Sequence, residues 1–233
     1  PEALKLFFFD AYHNATSDSL RYTLLIGDAN YNYKKANAAY SKNYVPSYGS
    51  PVSDTWFVAF DSASVEPAVS IGRLPVSSAE QMQKYWDRHS EYRQQRLDLW
   101  NRTTIHFSGG LDVGEYTEYK GINDRLIAQH VQPRPFAGKY THFYKTETPP
   151  SDFGPVSSTE FHETIDDGGI FISYIGHSGT QTWDNSIGSP RQLLNTLNRH
   201  PLITDFGCST ARFAEPDILS FSELFLVEDE SQA

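Results

Sequence analysis

Two short segments carry the residue types that covalent catalysis uses. Gly176-His177-Ser178-Gly179 follows an apolar run over residues 170–175, and Gly207-Cys208-Ser209 follows another over residues 202–206. Each reactive residue stands two positions past its run. A cysteine attacks as its thiolate, and an ordinary thiol with a pKa of ~8.5 is only a few per cent ionised near neutrality. An imidazole beside it accepts that proton and later returns it to a leaving group. The flanking glycines suit backbone that approaches a substrate closely. The N–H groups of Ser178, Gly179 and Cys208 are candidates for holding a developing oxyanion. These residues also have plainer readings. A cysteine after an apolar strand is often a small core residue, and a histidine at a strand end is often a hydrogen-bonded loop residue. Spacing alone leaves both open.

Positioning such a pair falls to the surrounding elements. Apolar runs at residues 22–27, 56–60, 68–72, 103–108, 140–145, 170–175 and 202–206 read as strands. Amphipathic stretches at 77–95, 116–130, 159–166, 190–198 and 218–227 read as helices, with Pro190 in the first turn of the fourth and Pro216-Asp217 starting the last. Residues 31–55, rich in Tyr, Asn, Lys, Ser and Pro, read as a long irregular loop. The alternation predicts an α/β fold with a mostly parallel sheet and flanking helices, split near residues 96–100. Sites in such sheets lie beyond the carboxyl ends of the strands. One right-handed crossover between the two strands brings His177 and Cys208 to one sheet edge.

The 233 residues include one cysteine, so no intrachain disulfide forms. A net charge of −10 argues against a nucleic-acid partner and an anionic membrane surface. No apolar run approaches the ~20 residues of a membrane span. The other seven histidines show no metal-ligand spacing, so no metal site is assigned to the chemistry. Glycines at 109, 110 and 114 form neither nucleotide-binding fingerprint.

At the two reactive segments the sequence resembles the gingipain family of cysteine peptidases. The family pattern is an apolar strand, Gly-His and a Trp six residues on; here Trp183 follows His177 by six. The family cysteine ends another strand about thirty residues later, and Cys208 lies 31 residues past His177. Four further blocks are similar: residues 22–28 (YTLLIGD), Val45-Pro46 with Ser53-Asp54, Ile71-Gly72-Arg73-Leu74-Pro75-Val76, and Trp100-Asn101-Arg102. The five blocks occur in family order.

The resemblance implies a caspase-like fold of two side-by-side α/β subdomains, 1–97 and 98–233. The second is the catalytic one, and it is C-terminally incomplete because the family continues with another strand. It implies a cysteine endopeptidase acting on protein or peptide substrates through a Cys208 thioester, with His177 as acid/base and Trp183 as a pocket wall. A sortase branch of the family, a transpeptidase using an amine acceptor, is the alternative; residues 208–213 (CSTARF) look somewhat like it. The third reading is a non-catalytic surface or adhesin domain with a degenerate site. A secreted or bacterial cell-surface location, often with type IX secretion, is also implied. No cofactor is required for the chemistry. Structural calcium is a family trait, for which Asp54, Asp61 and Glu66 are the acids available. Two departures stand out. Residue 178 is Ser where the family usually has Gly, which would strain the chain if the position needs φ > 0. The stretch after residue 107 lacks the family's His-orienting Glu, leaving Asp112, Glu115 or a backbone carbonyl as substitutes. Glu115 and Glu118 are the acids available for a basic substrate side chain.

Overall fold

The expected alternation of strands and helices is present in the protein's computed structural model, which describes residues 1–15, 20–32, 43–61, 66–145, 158–183, 189–216 and 218–227. The elements run α1 (Glu2–His13), β1 (Tyr22–Ile26), β2 (Ser70–Leu74), α2 (Ala79–Gln94), β3 (Thr103–Ser108), α3 (Val113–Leu126), β4 (Lys139–Tyr144), α4 (Ser158–Asp167), β5 (Phe171–Ile175), β6 (Ser178–Gly179), β7 (Thr182–Trp183), β8 (Leu202–Phe206) and α5 (Phe221–Val227). The described part of the chain forms two compact units. One comprises Pro1–Met82 and Arg212–Leu219, the other Gln83–Ala211 and Ser220–Ala233. The division between these compact units falls inside α2. Most of α2 belongs to the second unit because Arg88 Nη1 donates to Phe225 O at 3.0 Å and Glu91 faces His200.

In the first unit β1 and β2 pair in parallel, Tyr22 opposite Ser70 through Ile26 opposite Leu74. Phe8, Leu25, Phe57, Val58 and Val69 form its core, joined by Leu4 and Tyr12. Leu4, Phe8 and Tyr12 recur every fourth residue, so α1 lays one stripe on this cluster. Arg73 on β2 is its polar centre. The guanidinium is 4% exposed and spends its five N–H groups on Asp54 Oδ2 and Oδ1 and on the carbonyls of Gly27, Val45 and Pro46. The Phe213 ring covers it at 4.9 Å.

The second unit holds a four-stranded sheet in the order β4-β3-β5-β8, parallel throughout. Its two faces differ. Ile105, Phe107, Phe143, Ile172 and Tyr174 form an apolar face, packed by Phe161 and Ile165 of α4 and Phe221 of α5. Thr104, His106, Ser108 and Ser173 are buried on the other. There Asn123 of α3 donates to Phe107 O and Ser108 Oγ and accepts from Ser173 Oγ, while Ser108 Oγ and His142 Nε2 lie 2.9 Å apart. Burial lowers both His106 and His142 to a pKa of about 4. Among the described residues β8 has a strand neighbour on one side only, and Leu202 and Phe206 at its ends are 66% and 69% exposed.

Several elements differ from the sequence expectation. Residues 56–60 are not a strand: Thr55–Phe57 is a 3-10 turn ending in fully buried Phe57 and Val58. A short apolar run serves a buried turn as well as a strand. The helix expected over 190–198 shrinks to the 3-10 turn Pro190–Gln192. Asp166 Oδ1 takes the N–H groups of Leu194 and Asn195, both at 2.9 Å, and Asn195 and Asn198 turn left-handed at φ 40° and 50°. The second strand runs over Ser70–Leu74, two residues later than expected. α3 starts at Val113 because Asp112 caps it, and it closes in a π turn at Ile127–Val131. α5 starts at Phe221; Glu223 Oε2 accepts from Ser220 N and Oγ there, while Asp217 lies outside the described residues. Residues 33–42 of the expected long loop also lie outside them. No helix among the described residues is long and apolar enough to cross a membrane.

Candidate active site

Three strand ends of the second unit supply the site. β5 and β8 are parallel neighbours with Ile175 opposite Phe206, so the segments carrying His177 and Cys208 leave the sheet at one end and at one level. β3 ends beside β5, with Ser108 opposite Ile175, and Gly109 N donates to Ile175 O at 2.8 Å. The chain then turns through Gly110, at φ 131°, where a Cβ would meet Tyr116 N at 2.7 Å. Buried Lys145 donates to Gly110 O at 3.0 Å and fixes this turn. Asp112 Oδ1 accepts Glu115 N at 3.0 Å as the α3 N-cap. That cap starts the helix so that Glu115 lies on its first turn.

Glu115 Oε2 accepts Leu111 N at 2.9 Å and lies 2.9 Å from His177 Nε2. The Leu111 N–H first, and the His177 ring second, hold the carboxyl below the usual glutamate range. Between the two acids expected after β3, Glu115 thus meets the histidine and Asp112 caps the helix. The carboxylate acts as acceptor, so Nε2 carries the proton of the neutral ring and Nδ1 keeps a lone pair. The His177 side chain is 42% exposed. Tyr174 OH donates to His177 O, which fixes the backbone of that residue. Gly176 admits the close approach, since a Cβ there would lie 2.7 Å from Tyr174 OH and 2.9 Å from Gly109 Cα.

Cys208 is exposed at the start of a turn. Ser209, next to it, is left-handed at φ 63°, a conformation that costs a non-glycine residue ~1–2 kcal/mol. Ser178 and Gly179 form β6, paired with Trp183 and Thr182 of β7. Ser178 is absent from the left-handed region, so Ser in place of Gly brings no backbone strain. Its Oγ donates to Cys208 O at 2.6 Å.

Trp183 is a core residue that also lines a cavity, beside Asp205, Phe221 and Phe225. It is 1% exposed, its ring stacks on Tyr174 at 4.6 Å, and Nε1 donates to Asp205 Oδ2 at 2.7 Å. Asp205 Oδ1 in turn accepts Gly207 N at 2.8 Å. Residue type explains the placement: indole brings a large apolar body and one donor that needs a partner. Sequence reasoning missed Asp205 and Tyr174. The signal for Asp205 was present, as a lone carboxylate inside the apolar run LITDF. It also missed Tyr119 of α3. Burial, then the negative charges of Glu115, Glu118, Cys208 and Asp112, raise its phenol. Glu118 is exposed on α3 and free of the Glu115–His177 pair.

Of the acids considered for calcium, Asp54 is engaged within the protein. Both Asp54 oxygens are held by Arg73, and Ser47 Oγ adds a third bond at 2.9 Å. Among the described residues no group of three His, Cys, Asp or Glu side chains is placed to hold a metal ion.

Comparisons with known proteins agree with this architecture. The model of Peptidase family C25 matches residues 1–232. The crystal structure of the Arg-specific cysteine proteinase gingipain R superposes with a TM-score of 0.74 at 19% identity, covering 98% of this chain and 49% of that one. The complex of Porphyromonas gingivalis RgpB pro- and mature domains gives 0.72 at 20% identity, covering 98% and 50%. A structure described only as a protease gives 0.71 at 16% identity, covering 100% and 48%. The chain thus spans about half the length of these structures, which share its fold. No curated protein sequence matches.

Proposed function

The chain belongs to peptidase family C25, and we propose that its second unit is the catalytic part of a cysteine endopeptidase. One observation carries the reading. An imidazole already paired with a carboxylate through Nε2 stands at the same sheet end as the protein's only thiol. His177 Nδ1 takes the thiol proton as Cys208 Sγ attacks the scissile carbonyl. The imidazolium so formed is stabilised by Glu115. The tetrahedral intermediate collapses to a thioester as His177 gives that proton to the leaving amine. Water, deprotonated by His177, then attacks the thioester; the acid leaves and the thiol is regenerated. The N–H groups of Ser178, Gly179 and Cys208 are the donors available to the oxyanion, and one such donor contributes ~3–4 kcal/mol in known cases.

The substrate class is protein or peptide, and the location that goes with the family resemblance is outside the cell or on its surface. Hydrolase and transpeptidase share the thioester and differ in its acceptor. The first test is the rate of Cys208 alkylation against pH, in the wild type and in His177→Ala, beside hydrolysis of a fluorogenic peptide library. We expect an apparent thiol pKa below the ordinary ~8.5 that depends on His177. Cys208→Ala should lose at least about 10³-fold in kcat with its unfolding midpoint unchanged. Added amine that diverts product without slowing turnover would favour the transpeptidase. A slow alkylation indifferent to His177, with no hydrolysis, would sink the reading in favour of a non-catalytic domain.

A further inference from the structure

We propose that the Ser178 hydroxyl is a positioning group that sets the Cys208 turn against the His177 segment, a role that rests on the peptidase reading above. Cys208 is exposed, so packing does not hold its side chain. Its geometry must come from the peptide groups on either side. On the near side Asp205 Oδ1 accepts Gly207 N at 2.8 Å. That bond lies within the β8 end and carries no information about the histidine. On the far side Ser178 Oγ donates to Cys208 O at 2.6 Å. This carbonyl belongs to the peptide that joins Cys208 to left-handed Ser209. Fixing it fixes the rotation of the chain as it leaves the nucleophile.

Ser178 is well placed for this task. It follows His177 directly, and its backbone is paired with core residue Trp183. The hydroxyl is therefore mounted on rigid structure, one residue from the base. Gly207 makes the approach feasible. A Cβ there would lie 2.9 Å from Ser178 Cβ and closer still to its Oγ, so any side chain at 207 would push the two segments apart. With its proton committed to a carbonyl, the hydroxyl neither attacks substrate nor relays a proton. It acts only through the distance and angle between Sγ and the imidazole. Rate is sensitive to such placement.

The test compares Ser178→Ala and Ser178→Thr with the wild type and His177→Ala in the full chain. Ser178→Ala should lower kcat about 10–100-fold with KM within about twofold. It should move the alkylation profile of Cys208 toward that of an ordinary thiol and speed amide exchange in the peptide spanning residues 206–210. Ser178→Thr, which keeps the hydroxyl, should restore all three. Unchanged kcat, profile and exchange in Ser178→Ala would overturn the proposal. So would a loss that Thr does not rescue and that tracks a fall in Tm, since the serine would then matter only for folding. If His177→Ala leaves alkylation and hydrolysis at wild-type rates, the peptidase reading itself fails and takes this role with it. If His177→Ala is inactive and Ser178→Ala is not, the positioning role alone falls.

Discussion

Arg73 and His177 both pair with a carboxylate, yet the two neighbourhoods are built on opposite plans. The guanidinium is 4% exposed and all five donors are matched, to Asp54 and three carbonyls, with Phe213 over its face. Nothing remains to act on a ligand. The imidazole is 42% exposed, has one nitrogen on Glu115, and has no bond to the other among the described residues. A saturated charge in a dry place fixes chain segments; a half-saturated one at a strand end holds capacity for a proton. The buried His106–His142 pair lies between these cases. It is as enclosed as Arg73, but burial holds its rings neutral even though Asp124 Oδ1 lies 3.2 Å from His142 Nδ1.

Removing a charge from the saturated cluster should have the largest effect. Arg73→Met leaves Asp54 and three carbonyls without their donor and should cost about 3–5 kcal/mol in urea unfolding. A loss below about 1 kcal/mol would mean that the cluster is not the hub described. Next comes the buried histidine pair. With folded values of about 4 against about 6.5 unfolded, the neutral rings favour the native state above pH 6.5. For His106 that contribution fades as pH falls from 6.5 towards 4, by on the order of 3 kcal/mol. Unfolding midpoints at pH 7 and 4.5 should show the loss, and His106→Gln should flatten it; a slope unaltered by the substitution would break the assignment. The smallest of the three effects belongs to the exposed pair. Glu115→Gln should lower kcat about 10–100-fold with Tm unchanged, because it weakens only the imidazolium. Since the carboxyl is held below the usual glutamate range, its contribution in the wild type should persist through that range and be lost only at lower pH. Peptide hydrolysis against pH measures both.

Much of this was legible in the sequence because strand ends in parallel sheets are predictable places for chemistry. The strands at 103–108 and 202–206 have the expected bounds, and the runs into His177 and Cys208 do end level. The expectations failed where one side chain overrode an apolar or amphipathic pattern. Asp54, bound to Arg73, stands at the head of a turn where a strand was expected, and Asp166 draws the backbone at 194–195 out of a helix. Choosing between Asp112 and Glu115 required knowing where α3 starts, which the cap itself decides. The Trp183–Asp205 bond was not legible, because its two residues lie 22 apart in the sequence.

The one-sided pairing of β8 has a consequence for handling the protein. Among the described residues no strand pairs with its other edge, which exposed Leu202 and Phe206 flank, and a strand edge in that state is a template on which another strand can add. The net charge of −10 opposes that encounter through long-range repulsion. Added salt shortens the reach of that repulsion and leaves the strand edge as adhesive as before. A preparation of these 233 residues should therefore grow in apparent size with concentration, and more steeply at high ionic strength than at low.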